Sequence, residues 1–162
     1  MEDLVMFGDV YSGTKVLVTG NSGFKGSWLC LWLQYLGSRI RGLSLWPDTN
    51  PNLYNILKSK RHEIPTNHVD IRNYQKVIDV FENFEPEIVF HLAAQPLVRR
   101  SYRNPLETLN TNIVGTANIL EACRHTKSVR AVVNITSDKC YENQEWAWGY
   151  RESDPMGGYD PY

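Results

Sequence analysis

The chain has 162 residues, 42% of them hydrophobic and 22% charged, which is enough for one domain with a buried core. A net charge of −1 offers no basic footprint to nucleic acid, and the apolar runs are too short and too interrupted to enter a bilayer as a membrane span. Cys30, Cys123 and Cys140 are widely spaced, without a CxxC pair or a histidine at ligand spacing, so neither a disulfide framework nor a metal site is expected. Residues 1–14 carry Glu2 and Asp3 and lack the basic start and apolar run of a signal peptide. They read as an N-terminal extension on a cytoplasmic protein.

From Lys15 onward, short apolar runs alternate with longer helical patterns, the mark of βαβ units on a parallel sheet. Lys15–Thr19 (KVLVT) is a strand ending in glycine. The spacing of Trp28, Leu29, Trp32, Leu33 and Leu36 predicts a helix from Phe24 to Leu36, stopped by Gly37, with both tryptophans in the core. Arg39–Leu45 is the second strand, followed by a proline-containing loop and a short helix over Leu53–Lys58. A brief third strand should end at Val69 and Asp70. A helix over Asn73–Phe84 and a strand over Ile88–Leu92 come next. A long helix is expected from about Pro105 to His125, with Leu106, Leu109, Ile113, Ile119, Leu120 and Ala122 facing inward. Pro105 suits its first turn, where the missing amide proton costs nothing. Ala131–Thr136 is the fifth strand, and the polar, aromatic stretch from Glu142 to Tyr162 is a long loop. The predicted architecture is α/β, a Rossmann-type doubly wound parallel sheet, incomplete on its C-terminal side.

Between the first strand and its helix lies Gly20-Asn21-Ser22-Gly23-Phe24-Lys25-Gly26, spaced GxxGxxG. The first glycine permits the turn, the second lets backbone approach a pyrophosphate, and the third lets helix pack closely on strand. The phosphates would then face the amide protons and positive dipole end of the helix. The acid that usually holds the adenosine ribose, about 20 residues further on, has no counterpart here. That place falls near Ser44, and Asp48 lies a few residues late. No basic residue for a 2′-phosphate stands there either, so NAD is the expected cofactor, with NADP left open.

The GxxGFxG form resembles the extended short-chain dehydrogenase/reductase family, whose members act on nucleotide sugars. Asp70-Ile71 is similar to the family's adenine-contacting pair. His91-Leu92-Ala93-Ala94, with Gln95 after it, resembles the segment that lines the cofactor. Asn112 to Thr116 resembles the NxxGT helix motif, and Thr136-Ser137-Asp138 the catalytic hydroxyl with its neighbour. Within the family, residues 91–102, 136–143 and 148–162 resemble the 4,6-dehydratases that use CDP-glucose. Those using dTDP-glucose or GDP-mannose carry glutamate where this chain has Lys139.

The resemblance implies a closed redox cycle. Tyr162 takes the proton of the sugar 4-hydroxyl as hydride passes from C4 to NAD. Asp138 protonates the departing 6-hydroxyl, Lys139 removes or relays the C5 proton, and hydride returns to C6. Ser137 completes the catalytic set. The cofactor contacts it implies are Gly20, Ser22, Gly23, Phe24, Lys25, Gly26, Asp70, Ile71, Leu92, Ala93, Ala94, Gln95 and Asn112. The family's lysine stands four residues beyond its tyrosine, past residue 162. The expectation is therefore an N-terminal fragment with a truncated NAD-binding domain over 15–162 and no substrate domain. Such a piece would be inactive alone and homodimeric only in full-length form.

Several residues admit two readings. His91 is either a satisfied structural histidine or a cofactor contact. Either Arg99 and Arg100 are a solvated pair or one of them binds the substrate diphosphate, for which guanidinium is suited. Tyr141, Trp146, Trp148 and Tyr150 either pack against a further domain or wall the sugar pocket. Cys140 has no histidine to activate it and reads as a spectator. Other functions stay open: another nucleotide-sugar dehydratase, epimerase or reductase of the same fold, or a non-catalytic dinucleotide-binding fragment.

Overall fold

The computed structural model describes residues 7–162, with Asp138 described by its backbone alone. Residues 1–6 of the expected N-terminal extension lie outside the described residues. Five strands form one parallel sheet: β1 (Lys15–Thr19), β2 (Arg39–Ser44), β3 (Thr66–His68), β4 (Ile88–His91) and β5 (Ala131–Asn134). Their order, β3-β2-β1-β4-β5, is that of a Rossmann sheet. The crossovers are helical: α1 (Phe24–Tyr35), α2 (Leu53–Ser59), α3 (Tyr74–Phe84), α4 (Val98–Arg103), α5 (Pro105–Leu109) and α6 (Thr116–His125). None of the described helices is long and apolar enough to cross a membrane.

The central strand shows why its sequence is an unbroken apolar run. Val16 and Val18 enter the core on one sheet face, with Cys30, Leu33, Ile40, Ile64 and Ile88. Leu17, between them, enters the other core with Leu43, Val77, Phe81, Val89 and Ile119. A strand covered on both faces has no polar side to alternate with. Burial pushes the Cys30 thiol up to about 12, so it behaves as a small apolar side chain.

Two packing expectations are corrected. Trp28 and Trp32 are not core residues: they are 51% and 48% exposed, while α1 meets the sheet through Gly26, Ser27, Cys30 and Leu33. Apolar residues surround this helix on every side, so spacing alone did not select the buried face. Along the long helix expected from Pro105 to His125, Leu106, Leu109, Ile113 and Leu120 lie exposed, and only Ile119 and Ala122 of the expected set point inward. For the residues before α6 the cause is a π-helical segment, Asn110–Gly115, joining α5 to α6. Its wider turn shifts the phase of the apolar stripe, so a 3.6-residue count across it fails. Helix α4 was not anticipated, and the stretch from Glu142 to Tyr162 is loop as expected, fixed by an isolated bridge between Tyr141 and Met156.

Candidate dinucleotide and catalytic site

In a parallel sheet, the C-terminal strand ends gather on one edge, and here they carry nearly every candidate residue. Gly20 leaves β1 with φ +70°, a conformation that favours glycine. A Cβ there would lie 2.8 Å from the Ala93 amide nitrogen, so the loop rests directly on the chain leaving β4. Gly26 is tighter still, since its Cβ would lie 2.2 Å from the Gly20 carbonyl oxygen. Gly23 differs: its Cβ would meet only that same oxygen, at 3.3 Å, and the residue is exposed. Gly23 is also the N-cap of α1 and offers no side-chain acceptor to the first turn. Among the described residues the amides of Phe24, Lys25 and Gly26 thus have no acceptor, and they lie beside a bare backbone, which fits a diphosphate. Ser22 donates to the Leu45 carbonyl at 2.8 Å and ties the loop to the end of β2. Phe24 and Lys25 project outward as exposed side chains.

At the end of β2, Ser44 is 4% exposed and its hydroxyl has no hydrogen-bond partner among the described residues. It occupies the place where dinucleotide sites usually carry an acid, while Asp48 lies beyond, exposed. Past β3, Arg72 donates to both oxygens of Asp70, and its guanidinium holds that carboxyl below the usual carboxylate range. Ile71 turns the other way. It is 4% exposed and lies against Gly115, where a Cβ would approach its Cδ1 to 2.5 Å. The glycine of the NxxGT motif is therefore a packing requirement.

The chain leaving β4 is held by a closed hydrogen-bond system. Thr19 Oγ1 accepts the amides of Leu92 and Ala93 at 3.1 Å each, so its own proton goes to His91 Nδ1, 2.7 Å away. His91 Nε2 then carries the ring proton and donates to Thr116 Oγ1 at 3.0 Å. Burial lowers the imidazole pKa to about 4 and keeps it neutral. Of its two readings, the structural one holds. Gln95 is pinned through its backbone by Asn112, at 2.8 Å and 3.2 Å, and through its side chain by Thr108 at 2.9 Å. Both amide side chains are engaged in shaping the loop, leaving Ala94 exposed at its surface.

Beyond β5, Ser137 caps a single 3₁₀ turn, Asp138–Cys140, by accepting the Lys139 amide at 3.0 Å. The Asp138 side chain lies outside the described residues. The long loop then folds back, with Glu142 donating to the Pro155 carbonyl and Gly157 to that of Cys140. This return places Asp160 against Lys139 at 2.5 Å and lets its other oxygen accept the Tyr162 amide at 2.9 Å. Ser137, Lys139 and Tyr162 are thereby gathered in one place. Tyr102 on α4 donates to the Tyr159 carbonyl at 3.2 Å and ties the same loop to the β4 side. Tyr141 stacks on Tyr150, and Trp146 contacts both Trp148 and Tyr150, so the aromatic residues form one cluster. Arg100 is paired with Glu107 at 2.5 Å, whereas Arg99 is exposed and forms no ion pair among the described residues. Asp160 and Tyr102 were not singled out from the sequence. The Asp-Pro pair at 160–161 is a turn signal, and it was the available clue.

Comparison with known proteins agrees with this geometry. The CDP-glucose 4,6-dehydratase of Salmonella typhimurium is 52% identical over 94% of this chain and 42% of its own length. The UDP-glucose 4-epimerase of Mycolicibacterium smegmatis is 33% identical over 91% of this chain and 46% of its own length. Among solved structures, the UDP-glucose 4-epimerase of Thermus thermophilus in complex with NAD superposes with a TM-score of 0.77 at 30% identity, covering 92% of this chain and 44% of that one. The chain spans less than half the length of these relatives. The family model described as GDP-mannose 4,6 dehydratase matches residues 17–162, and the chain belongs to that family.

Proposed function

We propose that residues 15–162 are the NAD-binding domain of a nucleotide-sugar 4,6-dehydratase that converts CDP-glucose to CDP-4-keto-6-deoxyglucose and water. The observation that carries this reading is the meeting of Lys139 and Tyr162 on the Asp160 carboxylate at the C-terminal edge of the sheet. The 52% identity to a CDP-glucose 4,6-dehydratase supports the choice of substrate. NAD would be held by the Gly20–Gly26 loop, with its diphosphate over Gly23 and the first amides of α1. The Ser44 hydroxyl, which has no hydrogen-bond partner among the described residues, is suited to a ribose hydroxyl. When bound, NAD supplies the hydride acceptor at C4 and the donor at C6.

The remaining steps fall to side chains. Tyr162 removes the 4-hydroxyl proton as the hydride leaves C4. The C4 ketone then acidifies C5, whose proton Lys139 removes or relays. Asp138 gives a proton to the 6-hydroxyl, and the C6–O bond breaks to release water. Arg99, free of a carboxylate partner among the described residues, is better placed than Arg100 to meet the substrate diphosphate. We read the full protein as a cytoplasmic homodimer, and the exposed Leu106, Ile113 and Leu120 support the dimer. The test is turnover by the full gene product on CDP-glucose, dTDP-glucose and GDP-mannose with NAD. We expect CDP-glucose to give the highest kcat/KM by at least about tenfold. A higher value for either of the others would overturn the base assignment.

A further inference from the structure

The end of the long loop touches the Lys139 turn through one carboxylate, and that carboxylate serves two candidate site residues. Asp160 Oδ2 lies 2.5 Å from the Lys139 ammonium, while Oδ1 accepts the Tyr162 amide at 2.9 Å. The Asp160 side chain is 8% exposed and that of Lys139 41%. The ammonium holds Asp160 below the usual carboxylate range, so it is charged at neutral pH. Lysine has a long, rotamer-rich stem, and its ammonium serves in a proton relay reproducibly only when its head is fixed. Tyr162 is in turn placed by the local turn that Asp160 makes with its amide.

We propose that Asp160 is the positioning residue of this site, an anionic clasp that fixes the Lys139 ammonium and the Tyr162 backbone relative to each other. Its kinetic consequence rests on the dehydratase reading, while the clasp itself does not.

In the full gene product, Asp160→Asn keeps an oxygen for the Tyr162 amide but removes the charge facing Lys139. We expect kcat to fall about tenfold or more, with KM for CDP-glucose changed by less than about threefold. In a Lys139→Met background the same substitution should change kcat by less than about twofold, because it acts through that side chain. Unchanged turnover in the single variant, or an equal fall in both backgrounds, would overturn the proposal.

A second measurement is independent of turnover. Competitive acylation of the lysines, read by mass spectrometry against exposed Lys127, should show Lys139 about threefold or more reactive in Asp160→Asn, because its head is no longer held against the carboxylate. Equal reactivity overturns the clasp. A parent protein without dehydratase activity defeats the functional reading instead, and the labelling then decides the clasp. Should Asp160→Asn fail to fold, Asp160→Ser, whose hydroxyl can make the same local turn, takes both readouts with the same expectations.

Discussion

Gly26→Ala is expected to lower the melting temperature by about 6–12 °C, corresponding to about 3 kcal/mol at the upper end of overpacking costs. The added Cβ would lie 2.2 Å from the Gly20 carbonyl oxygen and 2.8 Å from Asn21 Cα, so only backbone stands in its way. Relief requires α1 to move off the β1 turn, which would also displace the amides suited to a diphosphate. Gly23→Ala provides the contrast. Its Cβ meets a single atom at 3.3 Å, and its φ of −77° suits any residue. That variant should melt within about 2 °C of the parent yet bind NAD about tenfold more weakly or worse, because the methyl stands where the diphosphate must approach. Thermal melting by circular dichroism, with and without NAD, separates the two. A Gly26→Ala variant that melts like the parent would contradict the packing described for this loop.

Tyr162→Phe in the full gene product should reduce kcat by about 10²–10⁴-fold, the range for removing a general acid–base group. Its stability and NAD affinity should stay near parental values, since the residue's contact with Asp160 is made by the backbone amide. Single-turnover kinetics alongside melting would check this. Retention of more than about a tenth of the parental kcat would remove Tyr162 from the proton-transfer role.

Much of the fold was legible because its signals are local. KVLVT followed by a spaced glycine loop and a helical run identifies a strand–turn–helix unit without reference to the rest of the chain. The repetition of apolar runs at Ile88 and Ala131 extended that unit to a parallel sheet. What failed depended on direction or on distant partners. Trp28 and Trp32 sit on a helix that is apolar all round, so the period could not say which face meets the sheet. Leu106 and Ile113 were misplaced because a π-helical segment changes the turn count between them and Ile119. His91 could not be decided from sequence, since its partners Thr19 and Thr116 come from β1 and α6. Asp160 was missed for a related reason: its contact with Lys139 spans 21 residues of loop that carries no periodic pattern. The candidate residues named from sequence stand in motifs, whereas the contact between Asp160 and Lys139 exists only once the loop has returned.

The most direct test of the proposed reaction is to follow deuterium from CDP-glucose labelled at C4, incubated with the full gene product and NAD. The expected product is a 4-keto-6-deoxy sugar with the deuterium at C6, because the hydride removed from C4 is the one returned. Deuterium found again at C4, in a product with the 4-hydroxyl inverted and no loss of water, would make the protein an epimerase and contradict the roles given to Asp138 and Lys139.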